Sequence, residues 1–203
     1  MSKRWKIYSA DKDRTERSGH RLRLGLLLLG SVAIAYNAGL FLHEASHALA
    51  AVVCGGKVFG ISVHPFGWSH SYSFCPGHPV LHGASGVIGS SLIAFLVYIV
   101  LIRWPKAWLM PVLLVGPVTL LTGGEYWLVD MLCDSNGDAC RLIAQGVPPW
   151  VVGGAGATLF VAGFVLAGHL SRAVGIGDQR LSSRLAVLLA GIVPYAATEL
   201  IWN

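Results

Sequence analysis

The sequence predicts an all-α polytopic membrane protein, with about five transmembrane helices and a short β-hairpin-like loop after the first. Composition is the first indication: of 203 residues, 54% are hydrophobic and only 12% charged, roughly half the charged share of an ordinary soluble domain. The mean hydropathy is +0.62. The second is a recurrence of apolar runs that approach the roughly 20 residues a spanning helix needs. The third is a change of period, from helical to alternating, in the segment after the first run.

The spans are expected at about 22–54, 83–102, 107–130, 149–170 and 184–202. Pro111 and Pro117 interrupt the third and Pro194 the fifth, which membrane helices tolerate where neighbours satisfy the freed carbonyls. Residues 1–21 form a basic arm of mixed charge, expected to be solvated or to lie on the surface. Residues 22–203 form a single membrane-embedded domain. The arm and first run resemble a secretory leader, with Ala33-Ile34-Ala35 in the place of a cleavage site. Because the apolar pattern continues through Leu40-Phe41-Leu42, the expectation is an uncleaved anchor.

The net charge is +5, and the basic residues gather at span boundaries, which excludes a nucleic-acid footprint. With five spans, the arm from Lys3 to Arg23, the pair Arg103 and Lys106, and the group Arg172, Arg180 and Arg184 share one side. Only Lys57 and Arg141 lie opposite. That asymmetry places the N-terminus in the cytoplasm, in a membrane of bacterial inner (plasma) type.

The first run contains His43-Glu44-Ala45-Ser46-His47. On a helix, positions i and i+4 stack on one face, so both imidazoles can reach one metal ion. The glutamate between them can take a proton from an attacking water. Imidazoles and a carboxylate at membrane depth are costly without a purpose. His43 and His47 are therefore assigned as metal ligands and Glu44 as the catalytic base. Catalytic zinc usually takes three protein ligands. The third is sought in Asp134-Ser135-Asn136-Gly137-Asp138, after span three, which the topology brings to the same side as the His-Glu pair. Asp138 is the first choice, at the start of a short helix over 139–145 that ends at Gly146, and Asp134 is the alternative. Glu125, Asp130, His64, His70, His78 and His82 follow.

Paired glycines, Gly55-Gly56, close the first helix. From Lys57 to Phe74 the residues alternate, with Trp68, His70, Tyr72 and Phe74 against serines. This reads as a hairpin. Its edge could accept a peptide by strand addition, or its aromatics could form an interfacial belt that only anchors the loop; the pattern does not separate the two. Trp68, His70 and Tyr72 are candidate substrate contacts, as is Asn37, seven residues before Glu44 and on nearly the same helix face. Gly83, Gly86 and Gly89 recur every third residue and suggest that span two packs closely on the metal-bearing helix. Gly153, Gly154 and Gly156 suggest a second close contact. Cys133 and Cys140 bracket the aspartate loop, and a bond between them, or four free thiols with Cys54 and Cys75, are both compatible with the spacing.

These features resemble the site-2 protease-type intramembrane zinc metalloproteases, over about 37–146. The resemblance rests on His43-Glu44-Ala45-Ser46-His47 followed by Ala48-Leu49-Ala50-Ala51 and Gly55-Gly56, then a β-like loop, a Gly-rich second span, and an aspartate after the third. It implies a helical membrane core with one Zn2+ per chain, held by His43, His47 and Asp138 or Asp134, and Glu44 as base. It also implies a transmembrane or membrane-proximal protein substrate, and leaves room for a regulatory membrane partner. The family's Leu-Asp-Gly is replaced here by Asn136-Gly137-Asp138. The chain is similar to small members without a PDZ domain. A divalent metal transporter, or an inactive scaffold of the same fold, are the competing readings.

Overall fold

The computed structural model describes residues 3–65, 69–104, 107–132 and 137–173, with side chains from residue 25 onward except that of residue 107. Helix α1 (Lys3–Val53) leads into an antiparallel hairpin, β1 (Lys57–Ser62) and β2 (His70–Phe74). Four helices follow: α2 (Pro79–Leu101), α3 (Met110–Asp130), the short α4 (Asp138–Ala144) and α5 (Pro149–Ala173). Among the described residues, four helical segments are long and apolar enough to cross a membrane: Gly25–Val53, Pro79–Leu101, Met110–Asp130 and Pro149–Ala173. They match the first four expected spans to within a few residues. The expected fifth, 184–202, lies outside the described residues. The chain is thus a mostly helical, multi-pass membrane protein.

The N-terminal arm is helical, because α1 is continuous from Lys3 into the first span. No proline falls within it, so nothing in the backbone chemistry ends the helix at the membrane boundary.

Helix α3 is the central and most buried span. Its Leu113, Leu114 and Val118 pack with Val32, Ala35 and Tyr36 of α1, Ala94 and Tyr98 of α2, and Leu166 and Leu170 of α5. Lipid tails are as apolar as leucine, so close packing rather than water exclusion must hold such helices together. The glycines supply it. A Cβ on Gly124 would lie 2.5 Å from the backbone nitrogen of Phe160 and 2.6 Å from the carbonyl oxygen of Gly156. The expected contact is therefore a backbone-to-backbone approach of α5 on α3 at Gly156, while Gly153 meets the Met131 side chain and Gly154 faces open space. Leu26, Ile34, Phe41, Leu96 and Val161 are exposed, on surfaces suited to lipid.

Gly55, with φ 68°, ends α1 in a conformation that glycine adopts without the Cβ penalty. The hairpin register pairs Lys57 with Phe74 and Ser62 with His70, with an irregularity between Val58 and Gly60. On β2 the aromatics face outward and the serines inward. That orientation is the reverse of a water-soluble hairpin and suits a strand beside lipid. Cys54 and Cys75 flank the first register pair and form a disulfide, with Cα atoms 5.6 Å apart. This bond was not among the expected pairings. Cys133 lies outside the described residues, and the Cys140 sulfur sits 3.2 Å from the carbonyl oxygen of Asp130.

Candidate metal centre

The C-terminal turns of α1, the start of α2, the end of α3 and all of α4 meet at one end of the bundle. Three side chains converge there. His43 Nε2 and His47 Nε2 are 3.2 Å apart, and both approach the same oxygen, Asp138 Oδ2, at 3.1 and 3.0 Å. These three atoms form the metal-type cluster found among the described residues. Of the two aspartates considered, Asp138 is the one seen there; Asp134 lies outside the described residues.

The triangle has the size a tetrahedral zinc ion requires. Metal–ligand bonds of about 2.0–2.1 Å give ligand–ligand edges of about 3.3 Å, slightly longer than the edges found. The protonation pattern points the same way. His47 Nδ1 lies 2.8 Å from the carbonyl oxygen of His82. A carbonyl only accepts, so Nδ1 carries the hydrogen and Nε2 is the ring atom turned into the triangle. Either a proton or a metal ion can stand between that nitrogen and the carboxylate oxygen. Burial alone would raise the Asp138 carboxyl. The hydrogen-bonding imidazoles of His43 and His47 outweigh burial and hold it well below the usual carboxylate range, as a ligand oxygen should be.

Asp138 is presented by α4 in an unusual way. Its N-cap, Gly137, has no side chain to offer. The first amides of α4 are instead satisfied by α3: Asp138 N–H donates to Tyr126 Oη at 3.1 Å, and Ala139 N–H and Cys140 N–H donate to Asp130 Oδ2 at 2.7 and 3.3 Å. Tyr126 also stands edge-on to His43, ring centroids 6.0 Å apart. A small core of Val87, Trp127, Ala139, Leu142 and Val152 fixes α4 from below. Asp130, considered as a ligand, thus proves to be the cap of the ligand-bearing helix.

Helix α2 approaches the imidazoles through Gly86. A Cβ there would fall 2.6 Å from His43 Nε2 and closer still to His47 Nε2. Gly89 meets Ser46 of α1, and Gly83 meets Leu142 of α4. The glycine repeat does pack span two on the metal-bearing helix, as expected, and one of its members also leaves the space in which the metal would sit. Seven residues separate Gly86 from the start of α2, placing the centre about 10 Å below that helix end.

Glu44 is buried and close enough to His43, His47, Asp138 and His70 to interact with each electrostatically. His82 is not at the triangle. Its carbonyl orients His47, and its Nε2 bonds Ser73 Oγ of β2 at 2.8 Å. His64 bonds Ser62, and His70 bonds Tyr72 on the exposed hairpin face. Glu125 and His78 also stand outside the cluster. Asn37 donates to the Ala33 carbonyl at 2.8 Å and lies six residues, about 9 Å, along α1 from His43. Trp68 lies outside the described residues.

Fold and cluster together define a polytopic membrane protein with a buried two-histidine, one-aspartate candidate metal centre. The Peptidase M50B-like family model matches residues 25–128, just over half of the chain, and the chain belongs to that family. No curated protein and no solved structure matches it. The match includes His43, Glu44, His47 and Gly86 and stops short of Asp138, so the third ligand rests on geometry alone.

Proposed function

We propose that this protein is an intramembrane zinc-dependent endopeptidase that hydrolyses a peptide bond of a membrane-protein substrate within or at the edge of the bilayer. The observation that carries the reading is the triangle of His43, His47 and Asp138 beside buried Glu44, in a chain of a peptidase family. Zinc bound there supplies Lewis-acid chemistry for activating water and the scissile carbonyl.

The residues of the chain do the rest. Glu44 takes the proton of the attacking water and delivers it to the leaving amine. The His82 carbonyl and Ser85, whose Oγ donates to that same carbonyl at 2.7 Å, keep the His47 ring in its ligand tautomer. The burial of Glu44 and His47 limits bulk water at the centre. A helical substrate must unwind before its carbonyls are accessible, and β2, joined to the centre through Ser73 and His82, offers an edge for the extended strand that results.

With the N-terminus cytoplasmic, the centre faces the non-cytoplasmic half of a plasma-type membrane. His70, Tyr72 and Asn37 would then stand on the substrate path.

The test compares the purified protein with its Glu44→Gln form for zinc content and for cleavage of a panel of single-span substrates. Zinc in both, with cleavage only by the parent, is the expected result. Equal cleavage by both, or zinc flux into vesicles without cleavage, overturns the reading.

A further inference from the structure

A cavity of about 220 Å³ lies immediately beside the candidate metal centre, between β2, the first turns of α2 and one face of α4. Sites for drug-sized ligands begin at about 300 Å³, so this one has room for a side chain or a chain end and not for a helix. Asp138 forms part of its wall, so whatever fills it lies within a residue or two of the reacting bond.

The charged groups of the cavity, with one amide, come from a single stripe. Asp138, Arg141 and Gln145 are spaced i, i+3 and i+7 along α4 and its C-cap, which puts them on one helix face, and all three line the cavity. Ser73 and His82 close the opposite side, already bonded to each other. Asp138 faces the two imidazoles. Arg141 is exposed and pairs with no carboxylate among the described residues. Its guanidinium and the Gln145 amide one turn on supply several N–H donors to the lining, while the one carboxylate there, Asp138, is taken up by the imidazoles. Such a fork matches a carboxylate, which it can bind in bidentate fashion. Arg141 is also one of only two basic residues that the charge pattern leaves on this side of the membrane.

We propose that this cavity is a specificity subsite, in which Arg141 and Gln145 bind one carboxylate of the substrate chain next to the scissile bond. The carboxylate comes from an acidic side chain or from a free chain end. The proposal rests on the peptidase reading for its meaning, and binding tests it without cleavage. The zinc-loaded Glu44→Gln protein in phosphatidylcholine nanodiscs is titrated with single-span peptides. Each carries Glu or Gln at one juxtamembrane position, with a free or amidated C-terminus.

At one position Glu is expected to bind about tenfold more tightly than Gln, ~1.4 kcal/mol, or the free terminus more tightly than the amide; these two arms identify the source. Arg141→Gln brings that ratio to about one, and Arg141→Glu turns the preference toward Lys at the same position. Two results overturn the proposal: no position at which the carboxylate is preferred, or an Arg141→Gln protein that weakens on Glu and Gln peptides alike. The second is what a guanidinium serving lipid phosphate or folding would give. If the parent cleaves nothing while the Arg141-dependent preference persists, the peptidase reading fails and the subsite stands.

Discussion

Asp130 accepts the backbone N–H of Ala139 at 2.7 Å, so the last residue of one membrane helix caps the short helix that Asp138 opens. The cap sets the direction in which Asp138 leaves the backbone, and with it the third corner of the metal triangle. Replacing a capping aspartate by alanine costs about 0.5–2 kcal/mol, and losing a group that orients a metal ligand typically costs 10–100-fold in affinity. Asp130→Ala is expected to lower zinc affinity by about that factor while the helical content of the bundle persists. Zinc per chain, measured against a graded chelator series, checks this. An unchanged affinity would show that the core around Trp127 and Leu142 places Asp138 unaided.

Gly86 and Gly83 separate ligand space from packing space. Gly86→Ala puts a Cβ against both imidazole Nε2 atoms. The metal and the methyl group cannot share that volume, so zinc binding and proteolysis are both expected to fall by more than an order of magnitude, on the scale of a lost ligand interaction. Gly83→Ala meets only the Leu142 side chain, 3.2 Å from its Cδ2, which can shift by a few tenths of an ångström. It should retain zinc. Parallel metal analysis of the two variants decides the point, and equal loss in both would make general helix packing the cause.

The disulfide ties the hairpin to the helix that carries His43 and His47. Cys54 and Cys75 are separated by 21 residues in sequence, and a bond closing a loop of that order restricts the open chain by about 3 kcal/mol. In the Cys54→Ser, Cys75→Ser double variant the hairpin should be cut by added protease several-fold faster, with zinc still bound, because neither cysteine touches the triangle. Limited proteolysis with metal analysis on the same sample reads both. A hairpin as resistant as the parent's would mean that the Ser73–His82 contact alone holds it.

Much of this site is legible in the sequence because its chemistry follows helical spacing. The i, i+4 histidines need only a helix to meet. The aspartate loop reaches them once the spans are counted, since the first and third spans end at the same face. What spacing does not reveal is what stands opposite. The repeat of Gly83, Gly86 and Gly89 gives close approach, but not that Gly86 approaches imidazoles. The capping of α4 is hidden because Gly137, at the local cap position, has no side chain, and the acceptors arrive from the preceding helix. The outward aromatics of β2 follow from lipid replacing water as the neighbour. The Cys54–Cys75 bond depends on the turn at Gly55-Gly56, which brings Cys54, three residues before Lys57, back beside Cys75, next to its partner Phe74.

Asp138 and Asp134 are four residues apart in a loop where sequence alone supports either as ligand, and Asp138 is the one found against both imidazoles among the described residues. An amide offers the metal a weaker, neutral oxygen, and its nitrogen cannot replace the carboxylate. Asp138→Asn should therefore lose zinc and, with it, cleavage. Asp134→Asn, which leaves the triangle intact, should keep zinc at one ion per chain. Measuring zinc content for the two variants side by side separates them. Retention by Asp138→Asn together with loss by Asp134→Asn would reverse the assignment and require α4 to leave the position in which Tyr126 and Asp130 hold it.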